Sequence, residues 1–405
     1  MKAILQVFSF DLLSKLFLGL ATIALIRYMP EQEYATYTVA LSLVSLVSQG
    51  YVLAFNRLYI VGYEDLGLDG SDSGFLAIQL IGIGIIAAVA APFLHTLGPA
   101  YVAAIALALA MCLSEYVKTW FQRDLKFFDS SMIEIARSGI FFAIVLAIIA
   151  TKEITVHASY VLLAQAFSMS LVFVLARRGR TGLGGARPRL RQSLAVLKAL
   201  LRGDDRYLFA YFVILAVFGQ VDIFILKALS DANQLASYGS AFRYYVLLSL
   251  ALGAVHTVLL PAIHHARSTG GIGAVVRQQQ RLSLVFAPVV LLGAWLSGWI
   301  IPMVDTGRYP AAVPVFRLLC LSAIVSFAFS PHANLVVSDK SYRFLVTLVI
   351  AVLVIGVLLD LLLVPIAGAV GAAAGHLVAF GILNFGSYLR ARRSLRSLAA
   401  PALGS

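Results

Sequence analysis

Twelve apolar blocks run along the chain, at about 9–29, 34–62, 74–94, 99–118, 131–150, 156–176, 205–228, 235–262, 279–302, 311–338, 343–365 and 367–390. Each is long enough to cross the ~30 Å hydrocarbon layer of a bilayer, some with tilt. Lipid offers no hydrogen-bond partner to a peptide group, so a crossing segment must close its bonds internally, which predicts helices. The ten-residue alternation of a membrane β-barrel is absent. Polar residues fall mainly in short connections. One longer stretch, RRGRTGLGGARPRLRQSLAVLKALLRGDDR at 177–206, divides the blocks six and six. The pattern predicts an all-α integral membrane protein with about 12 transmembrane helices. A six-helix lobe at 1–176 would be followed by a basic cytoplasmic linker at 177–204 that ends in an interfacial helix. A second six-helix lobe, with a basic cytoplasmic tail, would fill 205–405.

The basic residues orient these helices. With the N-terminus in the cytoplasm, 22 Lys and Arg fall in cytoplasmic segments and 4 (Arg27, Lys152, Lys227 and Arg308) fall outside. The other 5, Lys15, Arg57, Arg137, Arg243 and Arg317, lie within blocks. The positive-inside bias therefore places both termini in the cytoplasm. It also accounts for the net charge of +12 without a nucleic-acid partner, since basic loops lie beside anionic lipid.

Composition agrees. The chain is 61% hydrophobic and 12% charged, with mean hydropathy +0.92. Soluble domains are about half apolar and about a quarter charged. This excludes an ordinary cytosolic enzyme, a disordered protein and a disulfide-rich secreted domain. Cys112 and Cys320 lie in apolar blocks and form no CxxC site. The opening MKAILQVFSFDLL has no small-residue cleavage site and reads as the first span.

The chain repeats itself. The first block ends at Arg27-Tyr-Met-Pro and the second opens with Glu33-Tyr-Ala-Thr-Tyr37. The seventh ends at Lys227-Ala-Leu-Ser and the eighth opens with Gln234-Leu-Ala-Ser-Tyr238, 201 residues later. Six spans per half give both halves the same orientation, hence a parallel pseudo-two-fold along the membrane normal. Transporters built this way often place the substrate between the halves.

Enzyme constellations are missing: no HExxH, GxSxG or P-loop occurs. His264-His265 has no carboxylate at helical spacing, and the glycine-rich GAVGAAAG at 368–375 reads as close helix packing. External loops of at most about a dozen residues leave no room for a glycan polymerase or ligase site, and a nucleotide-driven pump lacks its domain. No enzyme activity and no cofactor are expected, beyond H⁺ or Na⁺ as a coupling ion.

Charges at span depth are costly and usually face a bundle interior or wet cavity. Arg57 either snorkels or lines a vestibule. Glu134 and Arg137, three residues apart on one helix, can pair locally. Lys15 stands one turn after Asp11. In the second half, Asp222, Arg243, Arg317 and Asp360 lie on four spans, all roughly 7–12 Å below the outer surface. They form either a static pair network or a site that exchanges a proton or cation, with Asn384 as a neutral oxygen donor. His256, His332 and His376 read as core or cavity histidines before proton relays. Arginine-lined cavities suit phosphate, which matches the guanidinium fork. Tyr207, Tyr211, Tyr238, Tyr244 and Tyr245 could stack on sugars or join the aromatic belts.

Four stretches carry a resemblance: ALIRYMPEQEYATYTVALS at 24–42, LKALSDANQLASYGSAFRYY at 226–245, RYPAAVPVFRLLCLSA at 308–323 and LLDLLLVPIAGAVGAAAGHLVA at 358–379. In this order the chain resembles the Wzx-type O-antigen and exopolysaccharide flippases of the multidrug/oligosaccharidyl-lipid/polysaccharide exporter superfamily. The resemblance implies two six-helix lobes around a cationic cavity. It implies alternating access that carries an undecaprenyl-pyrophosphate-linked oligosaccharide across the bacterial inner membrane, coupled to H⁺ or Na⁺. Arg57, Arg137, Arg243 and Arg317 become cavity candidates. Asp222, Asp360 and Asn384 become ion-coupling candidates, by likeness to the lipid II flippases. Asp360 stands where polysaccharide flippases more often carry Asn. The implied partners are the lipid-linked oligosaccharide, membrane lipids and a polysaccharide polymerase, with the protein itself a monomer. A drug/cation antiporter of the same superfamily is the alternative; it would prefer an acidic first-lobe cavity, where this chain has Arg57 and Arg137. A major-facilitator transporter would show a Gly-Asp-Arg-Gly loop where 62–74 reads GYEDLGLDGSDSG.

Overall fold

In the computed structural model the described residues are 2–56, 72–123, 126–151, 155–178, 205–246 and 272–399, with 198 and 248 besides. Arg57, residues 62–71 of the 62–74 loop, His256, His264-His265 and nearly all of the predicted linker lie outside them. The helices are α1 (Lys2–Tyr28), α2 (Glu31–Ser45), α3 (Asp72–Leu94), α4 (Pro99–Arg123), α5 (Phe127–Ala150), α6 (Ala158–Arg178) and α7 (Asp205–Leu229). Then follow α8 (232–246), α9 (Ile272–Asp305) and α10 (Ala312–Ser338). A last helical run, Tyr342–Ala399, is broken at Gly368 into α11 (342–367) and α12 (369–399). No strand occurs among the described residues. Eight helices among them are long and apolar enough to cross a membrane, with the Tyr342–Arg393 run counted as one.

The described chain forms two compact units, Met1–Gln220 and Val221–Ser405, divided within α7. In the first, α2 is an inner helix: Tyr34 to Val44, apart from Thr36, is buried. Its hydroxyls turn back on their own helix, Thr38 donating to Tyr34 O and Ser42 to Thr38 O, so they cost little in an apolar surrounding. A π-turn follows at Leu46–Val52. The wider turn carries Gly50 against α7, where an added Cβ would stand 3.0 Å from that of Ala216. Tyr51 donates to Ile78 O across to α3 at 3.0 Å. Beside it Phe55, Ile78, Tyr116, Val117, Phe121, Ile133 and Val172 form an apolar core.

In the second unit α9 shows an apolar exterior, with Leu284, Val289, Trp295, Trp299 and Met303 exposed. Water would penalise such a face; lipid does not. Gly368 takes φ +53°, as Gly98 takes +54° ahead of α4, a conformation open to glycine at little cost. The chain then doubles back tightly. A Cβ on Gly371 would collide with the Leu363 carbonyl oxygen, and one on Gly375 would stand 2.5 Å from Asp360 Oδ1. The 368–375 glycines thus serve close helix packing.

The internal repeat has a structural counterpart. Glu33 accepts the Ala158 N–H at 2.7 Å, and Gln234 accepts the Ala369 N–H at 2.9 Å. In each half, therefore, a side chain at the start of the second helix caps the free N-terminus of the sixth. Glu33 also holds His157 Nδ1 at 3.0 Å.

Candidate functional site

The acids of the second unit come together. Asp222, five residues past the middle of α7, is 3% exposed. Its Oδ2 accepts the Tyr238 hydroxyl of α8 at 2.6 Å and pairs with His376 Nδ1 of α12 at 2.9 Å. Asp360 of α11 is fully buried and lies within interaction range of the Asp222 carboxyl. Neither of its oxygens meets a hydrogen-bond donor among the described residues. Gly375 leaves the space that Asp360 occupies, and His376 stacks on Phe380 with centroids 5.2 Å apart. Four helices thus bring two carboxyls, an imidazole and a phenol to one buried point. Two adjacent carboxyls at membrane depth repel unless a proton or cation bridges them.

The first unit lacks this arrangement. In the register set by the two caps, the positions equivalent to Asp222, Tyr238 and His376 are Ala21, Tyr37 and Gln165. Ala21 and Tyr37 are buried. At the position that matches Asp222 the first half therefore carries no acid.

The first unit has a different charge cluster. Arg137 of α5 reaches Glu115 of α4 at 3.1 Å and Glu134 at 2.5 Å. Lys118 reaches Glu134 at 2.5 Å and Glu115 at 3.8 Å. Ser14 of α1 donates to Glu134 O at 3.1 Å. Arg137 forms the expected i, i+3 pair, and Lys15 of α1 lies within electrostatic range of Glu134 as well. Deeper, Gln79 donates to Asn56 Oδ1 at 2.7 Å and accepts from Cys112 at 3.3 Å.

Arg317 and Asn384 make their contacts elsewhere. Arg317 of α10 is exposed, and its Nε donates to Ala294 O of α9 at 3.1 Å. Gly298 gives its guanidinium room, since a Cβ there would lie 3.1 Å from Nη2. Arg243 is half-buried on α8. Asn384 lies two turns beyond His376, about 12 Å along the helix, and donates to Phe380 O of its own turn. Sequence reasoning identified both acids but left out Tyr238 and His376 as their partners. The signal lay in the repeat: position 376 is a titratable residue where the first half has Gln165.

No protein-family model and no curated protein matches the sequence. Solved structures share its fold. An inward-facing multidrug resistance MATE family transporter of the MOP superfamily is 15% identical, with 97% of this chain and 96% of that one covered and a TM-score of 0.68. Lipid II flippase MurJ, in an inward closed conformation, is 13% identical over 98% and 94%, with a TM-score of 0.72. A mutant of the Vibrio cholerae MATE transporter VcmN is 14% identical over 97% and 94%, at 0.57. The fold is that of MOP-superfamily transporters, and the protein is a multi-pass membrane protein.

Proposed function

We propose that the protein is a gradient-driven flippase. It moves an undecaprenyl-pyrophosphate-linked oligosaccharide from the cytoplasmic to the periplasmic leaflet of the bacterial inner membrane, for O-antigen, capsule or exopolysaccharide synthesis. The observation that carries this is the Asp222–Tyr238–His376–Asp360 cluster. The matching position of the first half is Ala21, so the cluster's cost is explained by function rather than by the shared helix register. A proton or Na⁺ entering between the carboxyls would relieve their repulsion and favour one conformation; its release to the other side would favour the other. Asn384 is a further oxygen for the ion if its turn moves closer. Arg243 and Arg317, with Arg57, would meet the pyrophosphate. Arg137 would join them by leaving Glu115 and Glu134. The basic segments lie in the cytoplasm with both termini, and no bond of the cargo changes. No cofactor acts besides the ion; a polysaccharide polymerase receives the product, and the flippase works as a monomer.

The test is flipping in proteoliposomes of a fluorescent undecaprenyl-pyrophosphate oligosaccharide under an imposed H⁺ or Na⁺ gradient. Gradient-dependent exposure is expected, lost in Asp222→Asn and Asp360→Asn and weakened in Arg243→Ala and Arg317→Ala. The acidic cluster and the MATE fold also suit a drug/cation antiporter. Gradient-driven efflux of a cationic dye, without flipping of any glycolipid, would establish that reading instead.

A further inference from the structure

A second site lies away from the acids. Gln280, Ser283 and Leu284 of α9, Phe329 and His332 of α10 and Tyr388 of α12 line a cavity of about 550 Å³. Its inner wall is aromatic: His332 meets Tyr388 edge-on at 4.9 Å, and Tyr388 meets Phe329 edge-on at 5.6 Å. His332 is 5% exposed, and its Nδ1 has no hydrogen-bond partner among the described residues. A buried imidazole nitrogen without a partner costs free energy unless something fills the space before it. The outer wall opens to the bilayer, since Leu284 is 75% exposed and continues the apolar face of α9 through Val285 and Val289.

Charge lies at one end. Arg277 precedes Gln280 by three residues and Leu284 by seven, so it shares their face of the helix. Arg277 and Arg281 are both exposed. Arg390, two residues past Tyr388, faces away from the groove, over the Phe344 ring and donating to Ser341 at 3.3 Å, so the charge at this end comes from α9. The occupant is thus an amphiphile, negative at the arginine end and apolar along Leu284, with hydroxyls between. A hydroxyl can donate to or accept from His332 Nδ1 whichever tautomer the ring adopts.

We infer that this groove between α9, α10 and α12 is a binding site for a resident anionic phospholipid with a hydroxylated headgroup of the glycerol type. The phosphate sits by Arg277 and Arg281, the glycerol hydroxyls fill the space before His332 and Gln280, and an acyl chain follows Leu284. The volume suits such a headgroup and is small for an oligosaccharide pyrophosphate. A zwitterionic ethanolamine headgroup would bring its ammonium group toward the arginines.

Native mass spectrometry of the full-length protein in detergent, titrated with phosphatidylglycerol or phosphatidylethanolamine, tests this without cargo or gradient, so the outcome is independent of the flippase reading. Phosphatidylglycerol is expected to bind more tightly by roughly fivefold or more. Arg277→Gln and Arg281→Gln should each weaken it by roughly fivefold. His332→Phe, which keeps the ring and removes the nitrogen, should erase the preference for phosphatidylglycerol at an unchanged melting temperature. Leu284→Trp, at an exposed position, should block the groove. Equal retention of the two lipids, or phosphatidylglycerol binding that survives all four substitutions, would overturn the site. So would displacement of phosphatidylglycerol by undecaprenyl phosphate at lower concentration, which would give the groove to the cargo lipid.

Discussion

Asp360 and Arg137 are both charged side chains at membrane depth, and the side chains around them set opposite expectations for substitution. Asp360 has no donor among the described residues and another carboxyl within range. Asp360→Asn keeps the shape and supplies an N–H to Asp222, so it should leave thermal stability equal or higher while abolishing gradient-driven transport. This is the trade-off of a site held at the expense of stability. Differential scanning in detergent beside the flipping assay reads both quantities; a large fall in melting temperature with transport intact would make the acid structural. Arg137 is the reverse case. Its removal leaves Glu115 and Glu134, both under 10% exposed, to share Lys118, and loss of one partner of a buried pair costs about 3–5 kcal/mol, of which Lys118 offsets a part. Arg137→Met should therefore lower the melting temperature markedly, and Arg137→Met with Glu134→Gln should recover part of the loss.

At the scale of elements, the two caps make the repeat testable. Gln234→Ala removes the acceptor of the Ala369 N–H and should destabilise the second unit by about 1 kcal/mol. Gln234→Glu should be tolerated, because Glu33 performs that role in the first half. Hydrogen exchange at the start of α12 would report the difference. The α11–α12 crossing should be less forgiving. Gly375→Ala places a methyl group 2.5 Å from Asp360 Oδ1, and with helix backbone on one side and the acid cluster on the other, the loss should appear as failed transport before failed folding. Glycines at 371 and 375 read in the sequence as packing residues; that one of them makes room for a buried acid required the return of the chain at Gly368.

For the whole molecule, the distribution of basic residues makes a prediction about sidedness. Cys112 and Cys320 are buried and free, which leaves a quiet background for labelling. His95→Cys, at the exposed turn between α3 and α4, should react with a membrane-impermeant maleimide from the periplasm. Arg393→Cys, exposed near the end of α12, should react only after permeabilisation. The reverse pattern would invert the proposed topology and with it the direction of transport.

Hydrophobic length and period determined the helices, because a chain in lipid must satisfy its peptide groups within each segment. The repeat was legible for the same reason that it is structural: Glu33 and Gln234 hold equivalent positions and do the same work. Asp222 and Asp360 were legible because charge at membrane depth is rare. Tyr238 and His376 were not, since tyrosine suits an aromatic belt and histidine a core. Contacts between residues 154 positions apart follow from helix packing and not from local spacing. Only the tertiary structure determined that Arg137 balances two acids from separate helices and that Asp222 finds a phenol and an imidazole. It alone left Asp360 beside another carboxyl, because electrostatic energy depends on distances in space, which the order of residues along the chain does not contain.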